Sequence, residues 1–372
     1  MGVRHRVRQA LRPVTTTSTP PSISTADYLD QFGGVWHDLG PAPQIDWGAA
    51  RQVGGPEVAL LENLDASPGP VGVLELDNAV VDGRSGWVTT SAGSVLRDHT
   101  LFGSEFDHRA GWMRLPRRIE RLAGAAAVIS SDYGMDNFAH GVIHVLPRVE
   151  LFQAAGLTFD DVDHVLCNAT GLSRSYLIEL GVPEEKIIWT RADRQYRVER
   201  VITATFPGPR AGTSPRSTDF LHNRLGRSAD GSGRRIHLPR FGRRRISNES
   251  ELESILHDHG FESIDPGTDP RDMRPIFAAA EIVLGAHGAA FTNTVFCETG
   301  THIFEIMPTD QSDPFFFALA RSRGLDHRFM TGVSSSHRPR STMSWSPSTA
   351  DFHVDREVFG SALEDLLAEM VD

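Results

Sequence analysis

AEIVLGAHGAAFTNTVFCETGTHIFEIMP, Ala280 to Pro308, carries a strand, a glycine-rich loop, a short helix and a second strand in quick succession. The apolar run Ile282-Val283-Leu284 stops at Gly285-Ala286-His287-Gly288-Ala289-Ala290, whose small side chains let a ligand approach the backbone. A helix starting near Thr292 and Asn293 turns unpaired N–H groups and a positive dipole end toward that loop, which suits an anion. His287, Thr292 and Asn293 add donors without a lysine. Beyond Gly300 the run His302-Ile303-Phe304-Glu305-Ile306 predicts a second buried strand with one carboxylate in it. An acidic residue at a strand end can accept from the hydroxyls of a nucleotide ribose, which makes Glu305 a candidate for that role. The loop matches neither the dinucleotide fingerprint nor the ATPase P-loop, so on its own a glycine-rich strand-to-helix turn remains an equal reading.

Outward from this segment, strands and helices alternate. Strands are predicted at Arg235–Leu238 and Phe261–Ile264, and helices at Glu249–His259, Arg271–Ala280 and Pro314–Arg323. That alternation builds a parallel, doubly wound sheet. Asn248 and Glu251 are spaced as a capping box and Gly260 as a C-terminal glycine. The earlier half is less regular. Strands are expected at Val71–Leu76, Gly86–Thr90, Ala126–Ser130, His164–Cys167, Lys186–Thr190 and Val198–Thr205, with helices near Asp136–Ala155 and Leu172–Leu180. The Pro-, Gly- and Ser-rich stretch 207–233 reads as an exposed linker, interrupted by one short helical candidate around Thr218–Arg224. The chain therefore divides into a disordered tail at 1–24, a first α/β lobe at 25–206, that linker, a Rossmann-like second lobe at 234–350 and an amphipathic helix within 351–372. The fold class expected is α/β with two Rossmann-like lobes.

Composition narrows the function. At 372 residues and 40% hydrophobic content there is material for two cores. A net charge of −11 argues against nucleic acid as a partner. Cys167 and Cys297 lie in apolar surroundings and read as reduced core residues. No stretch approaches the roughly 20 apolar residues of a membrane span, and no secretory signal is apparent, so a cytoplasmic protein is expected. The basic opening, MGVRHRVRQALRPV, offers peripheral contact with an anionic membrane or a solvated tail.

A second informative stretch is MDNFAHGVIHVLPRVELFQAAG, Met135 to Gly156. At helical spacing Phe138, Val142, Val145, Val149 and Phe152 share one face, and Asn137, His140, His144 and Arg148 form a stripe nearly opposite. Pro147 is expected to kink the helix by removing the bond to the Ile143 carbonyl. Three readings of the stripe stand: a solvent-facing helix side, a metal site from the i, i+4 histidines, and acid/base chemistry, for which histidine is well suited. A third cluster, IHLPRFGRRRISNE at Ile236–Glu249, sets Arg240, Arg243, Arg244 and Arg245 just after a strand, at the usual ligand edge of a parallel sheet. Arginine forks grip phosphate bidentately; a solvated basic loop is the plainer reading.

Together these residues resemble glycosyltransferase family 61. The likeness runs through Asn137, His140, Pro147 and Arg148; through Arg240, Arg245 and Asn248-Glu249; and through Gly285, His287-Gly288-Ala289, Thr292-Asn293, Phe296, Gly300, Glu305 and Pro308. The chain departs from the family pattern at Gly141, where tryptophan is usual, and at His144, where an acid is usual. The resemblance, closest to bacterial capsular-polysaccharide members, implies an inverting glycosyltransferase of GT-B architecture. It assigns the nucleotide of a sugar donor, a UDP-sugar, to Arg240, Arg245, His287, Gly288, Ala289, Thr292, Asn293 and Glu305. It assigns the acceptor, a glycan or glycoconjugate hydroxyl, to the side of Asn137 and Arg148, and the catalytic base to His140 or His144. It also implies a C-terminal helix crossing back to the first lobe. No aspartate pair of metal-chelating spacing stands at a strand end, so no metal and no cofactor are expected. The alternatives are a nucleotide-sugar epimerase or hydrolase on the same frame, and a sugar-nucleotide-binding protein without catalysis, which the two departures allow.

Overall fold

In the computed structural model of the chain, residues 20–41, 45–60, 69–103, 106–109, 118–169, 171–208, 213–229, 231–265, 267–310, 313–335 and 350–370 are described. The continuous apolar strands of the second half need cover on both faces, and they obtain it by pairing in parallel between helices. Phe261–Ser263, Arg234–Leu238, Ala280–Ala286, His302–Pro308 and Asp326–Ser334 lie side by side in that order. Alternation along His302–Pro308 sends Ile303 into the core shared with the first half, while Phe304 and Ile306 face the opposite way. On that outer face pack the helices Glu249–Asp258 and Arg356–Glu369, through Leu252, Leu256, Phe359, Leu363 and Leu366.

The first half forms its own sheet. Pro70–Asp82 runs antiparallel to Arg194–Ala204, which then pairs in parallel with Arg118–Val128, followed by His164–Cys167 and Ile187–Trp189. Val71, Ala127, Val165 and Ile202 from this sheet share one apolar cluster with Val283, Phe291 and Phe296 of the second half. Between the sheets lie the helices Pro147–Ala154, Pro215–Leu225, Pro270–Ala278 and Phe315–Ser322, so the architecture is mixed α/β with parallel sheets around a common core. Among the described residues no helix is long and apolar enough to cross a membrane. Cys167 and Cys297 are both buried and free.

Several expectations are corrected. The stretch read as a linker contains the helix Pro215–Leu225, capped by Ser214, with Thr218, Leu221 and Leu225 fully buried; its apolar spacing outweighs the Pro and Gly around it. The tail does not extend to residue 24, because Ser22–Ile23 pairs with Val95–Leu96 and Ser24 caps the helix Thr25–Phe32. The basic stretch before residue 15 lies outside the described residues. The C-terminal helix does not cross back to the first sheet; its apolar face completes the outer face of the second. Arg51–Gly54, early in the chain, also belongs there, pairing with Asp326–Ser334. Glu369 ties these parts together by binding both Arg51 and the buried Arg328. Asn248 stands at a helix start without capping it, since its amide instead holds Val354 through Nδ2 to the carbonyl at 2.8 Å and Oδ1 from the N–H at 3.1 Å. Gly260 does end that helix, at φ +74°.

Candidate active site

The histidine stripe is not solvent-facing. Its helix begins at Phe138, where Asn137 Oδ1 accepts from the Ala139 N–H at 2.9 Å and so caps the start. It widens at once into a π turn over Gly141–Val145 before Pro147 opens the next helix. The expected kink is thus an inserted π turn ahead of the proline, closed by Leu146 N–H on the Gly141 carbonyl. The turn stacks two imidazoles: His140 Nδ1 and His144 Nδ1 are 2.9 Å apart. His144 is fully buried and packs against Phe206, while His140 is half-buried beside Tyr133. Burial pushes the His140 imidazole down to about 4, so it is neutral near pH 7. Arg148, at the far end of the stripe, is buried and spends its guanidinium on the carbonyls of Ala204 and His99, at 2.8 and 2.7 Å. It braces the first sheet from within, beside Asp132. The sequence reading passed over Asp132, whose carboxyl burial pushes up to about 6 although Trp87 Nε1 and the Leu101 N–H donate to it.

In the second half, the loop after Ala280–Ala286 leads into a 3₁₀ helix over Ala289–Phe296, starting earlier than expected. Thr292 and Asn293 are buried within it, and Thr292 Oγ1 and Asn293 Oδ1 have no hydrogen-bond partner among the described residues. The N–H groups of Ala289 and Ala290 at its start lack an acceptor within the helix. Arg240 lies on this loop: a Cβ on Gly288 would come within 1.9 Å of its Nη1, which donates to the His287 carbonyl at 2.7 Å. Its Nε donates to the Arg243 carbonyl, so neither bond neutralises its charge. Arg244 stands beside it at φ +59°, a left-handed conformation that costs about 1–2 kcal/mol outside glycine, with Nη1 buried and without a partner among the described residues. Burial and the mutual repulsion of Arg240, Arg243 and Arg244 lower Arg240 to about 10; burial also lowers Arg244, against the pull of Asp313. Arg245 points elsewhere, exposed and paired with Asp351 at 2.8 Å. Arg245, the position expected from the resemblance, is thus turned to Asp351, whereas Arg244, which the resemblance did not single out, lies close enough to Arg240 to repel it.

Glu305 is also corrected. It is fully buried, with Oε1 2.5 Å from His287 Nδ1 and Oε2 2.9 Å from His327 Nε2, so its oxygens face two histidines and not a surface that a ribose could reach.

The two clusters meet at the head of the helix Phe315–Ser322. Phe315 packs on His140 and His144, with ring centroids 5.7 and 5.6 Å away, and adjoins Phe316, which packs on His287 at 5.1 Å. Histidines from one half and arginines from the other thus flank one helix end. Among the described residues no group of three or more His, Cys, Asp or Glu side chains is arranged to hold a metal ion.

With this geometry in hand, comparison with known families gives one result: the sequence profile of glycosyltransferase 61 matches residues 138–304, a little under half of the chain. The matched segment contains the π turn, the arginine loop and the glycine-rich loop, and it supports assignment to that family and a glycosyltransferase activity. No curated protein matches the chain.

Proposed function

We propose that this protein is an inverting glycosyltransferase that moves a sugar from a nucleoside diphosphate, by preference a UDP-sugar, to a hydroxyl of a glycan or glycoconjugate. The observation that carries the reading is the pair of arginines without a carboxylate partner at the carboxyl end of a parallel sheet, beside small-residue backbone. Arg240 and Arg244 make no ion pair among the described residues and repel one another. A diphosphate relieves that repulsion and supplies acceptors for the orphaned Arg244 Nη1 and the loop N–H groups.

Transfer then needs a base for the acceptor hydroxyl and cations for the departing diphosphate. One proton shared between the facing Nδ1 atoms of His140 and His144 forces opposite tautomers on the two rings. If His140 donates, its Nε2 is bare and free to take the acceptor's proton, and His140 is the less buried of the two. The arginines act on the opposite side, where negative charge develops as the glycosidic bond to phosphate breaks. Asn137 supports this arrangement by capping the histidine-bearing turn rather than by touching substrate. The reaction as proposed needs no metal, with arginine and backbone N–H groups serving the diphosphate.

The test is thermal unfolding with a panel of nucleoside diphosphates, with and without a chelator. UDP at about 100 times its dissociation constant should add roughly 2.7 kcal/mol of stability in either condition. A shift that vanishes with the chelator contradicts the metal-free site, and the absence of any shift across the panel contradicts the donor site.

A further inference from the structure

Behind the phosphate loop lies a carboxylate that the transfer as described does not use. Glu305 sits on the same face of its strand as Ile303, looking into the core between the sheets. Burial would raise its carboxyl, but His287 and His327 outweigh that and hold it down to about 2. An ionised carboxylate only accepts hydrogen bonds, so both rings must donate: His287 through Nδ1–H and His327 through Nε2–H. His327 Nδ1 is buried without a partner among the described residues, as suits a bare ring nitrogen rather than a second N–H. In His287 the remaining nitrogen, Nε2, has no hydrogen bond among the described residues and lies on the far side of the ring from Glu305.

We propose that Glu305 is a positioning residue that acts through His287, fixing its proton on Nδ1 and presenting Nε2 to a diphosphate oxygen of the donor, where the ring binds as an imidazolium between two anions. This rests on the donor reading above. Four kinds of group face His287. Glu305 lies behind it, with His327 beyond; Arg240 lies against its carbonyl, with Arg243 and Arg244 further along that loop; Phe316 covers the ring; and His140 stands past Phe315. The proton with which Nε2 donates to the phosphate is exchanged with solvent.

The experiment is nitrogen NMR of the histidine rings in the full chain, labelled with ¹⁵N-histidine, near neutral pH and before and after addition of UDP. The expected result is a protonated His287 Nδ1 throughout, and a protonated Nε2 whose signal reports a new hydrogen bond once UDP is added. Glu305→Gln keeps the shape and removes the charge. It should weaken UDP binding about ten- to hundredfold, as loss of a charged hydrogen-bond partner does, and should abolish protonation of Nε2. Three results overturn the inference: a bare Nδ1 in the unliganded wild type, UDP binding that leaves the His287 ring signals unchanged, or a folded Glu305→Gln protein that holds the Nε2 proton as the wild type does. Failure of UDP to bind the wild type is visible before any ring signal is read. It removes the donor reading and the ligand part of this inference, while Nδ1 in the free protein still decides the positioning.

Discussion

The arginine loop shows how far side-chain identity alone specifies a site. Four arginines within six residues look alike in the sequence, yet the fold gives them different work: Arg240 is folded over Gly288, Arg244 is strained and half-buried, and Arg245 is spent on Asp351. A phosphate grip that relies on desolvated guanidinium should reside in the first two. Arg240→Ala and Arg244→Ala are each expected to cost on the order of 1.5–3 kcal/mol of nucleotide binding, with much smaller losses for Arg243→Ala and Arg245→Ala. Calorimetric titration with UDP measures this, and equal losses at all four positions would indicate a diffuse basic loop. The distinction was illegible in the sequence because it depends on one backbone angle and one distant aspartate. Glu305 was misread for a related reason: a lone acid in an apolar strand looks open to ligand until its two histidine partners, separated from it by 18 and 22 residues, are known.

At the scale of elements, the π turn explains the departure at Gly141. A Cβ there would lie 2.6 Å from Ser173 Oγ and 3.3 Å from its Cβ, on the buried face of the helix Gly171–Glu179. A tryptophan has no room there. Gly141→Ala should therefore destabilise the fold by about 1–3 kcal/mol as overpacking, and less in a Ser173→Ala background, where the nearer atom is gone. Urea titration of the single and double variants reads this, and equal losses in both backgrounds would mean that Ser173 is not the obstacle. The strands and helices of the second half were legible because short continuous apolar runs alternate there with segments whose apolar residues recur at a spacing of 3.6. Asp326–Ser334 was missed because its first residues, Asp326, His327 and Arg328, are polar, and only pairing with His302, Glu305 and Glu369 makes them compatible with a buried strand. The turn at Gly141–Val145 left no mark on the apolar pattern, which continued through it.

For the whole molecule, the shared core between the sheets is the feature least visible in the sequence, because composition and periodicity cannot say which faces meet. It carries buried titratable groups with a predictable effect on stability. Burial, with the help of Arg148, pushes His99 down to about 3, and burial pushes His140 to about 4, whereas unfolded histidine titrates near 6.5. Between those values the unfolded chain binds more protons, so stability present above about pH 6.5 is lost as the pH falls toward 4. Asp132, raised to about 6, works in the opposite direction over part of that range, and one carboxyl against two histidines leaves a net loss. Unfolding midpoints in urea that stay level or rise between pH 6.5 and 4 would contradict this burial.

The central claim, that histidines of one half and arginines of the other serve one transfer reaction, is tested most directly by turnover. The measurement is release of nucleoside diphosphate from a panel of nucleotide-sugars with and without hydroxyl acceptors, in the wild type and in a His140→Ala, His144→Ala double variant. The account predicts acceptor-dependent release with inversion at the anomeric carbon. In the double variant it predicts a fall of about 10²–10⁴-fold with donor binding nearly intact. Release that ignores the acceptor, or turnover that survives loss of both histidines, would contradict it.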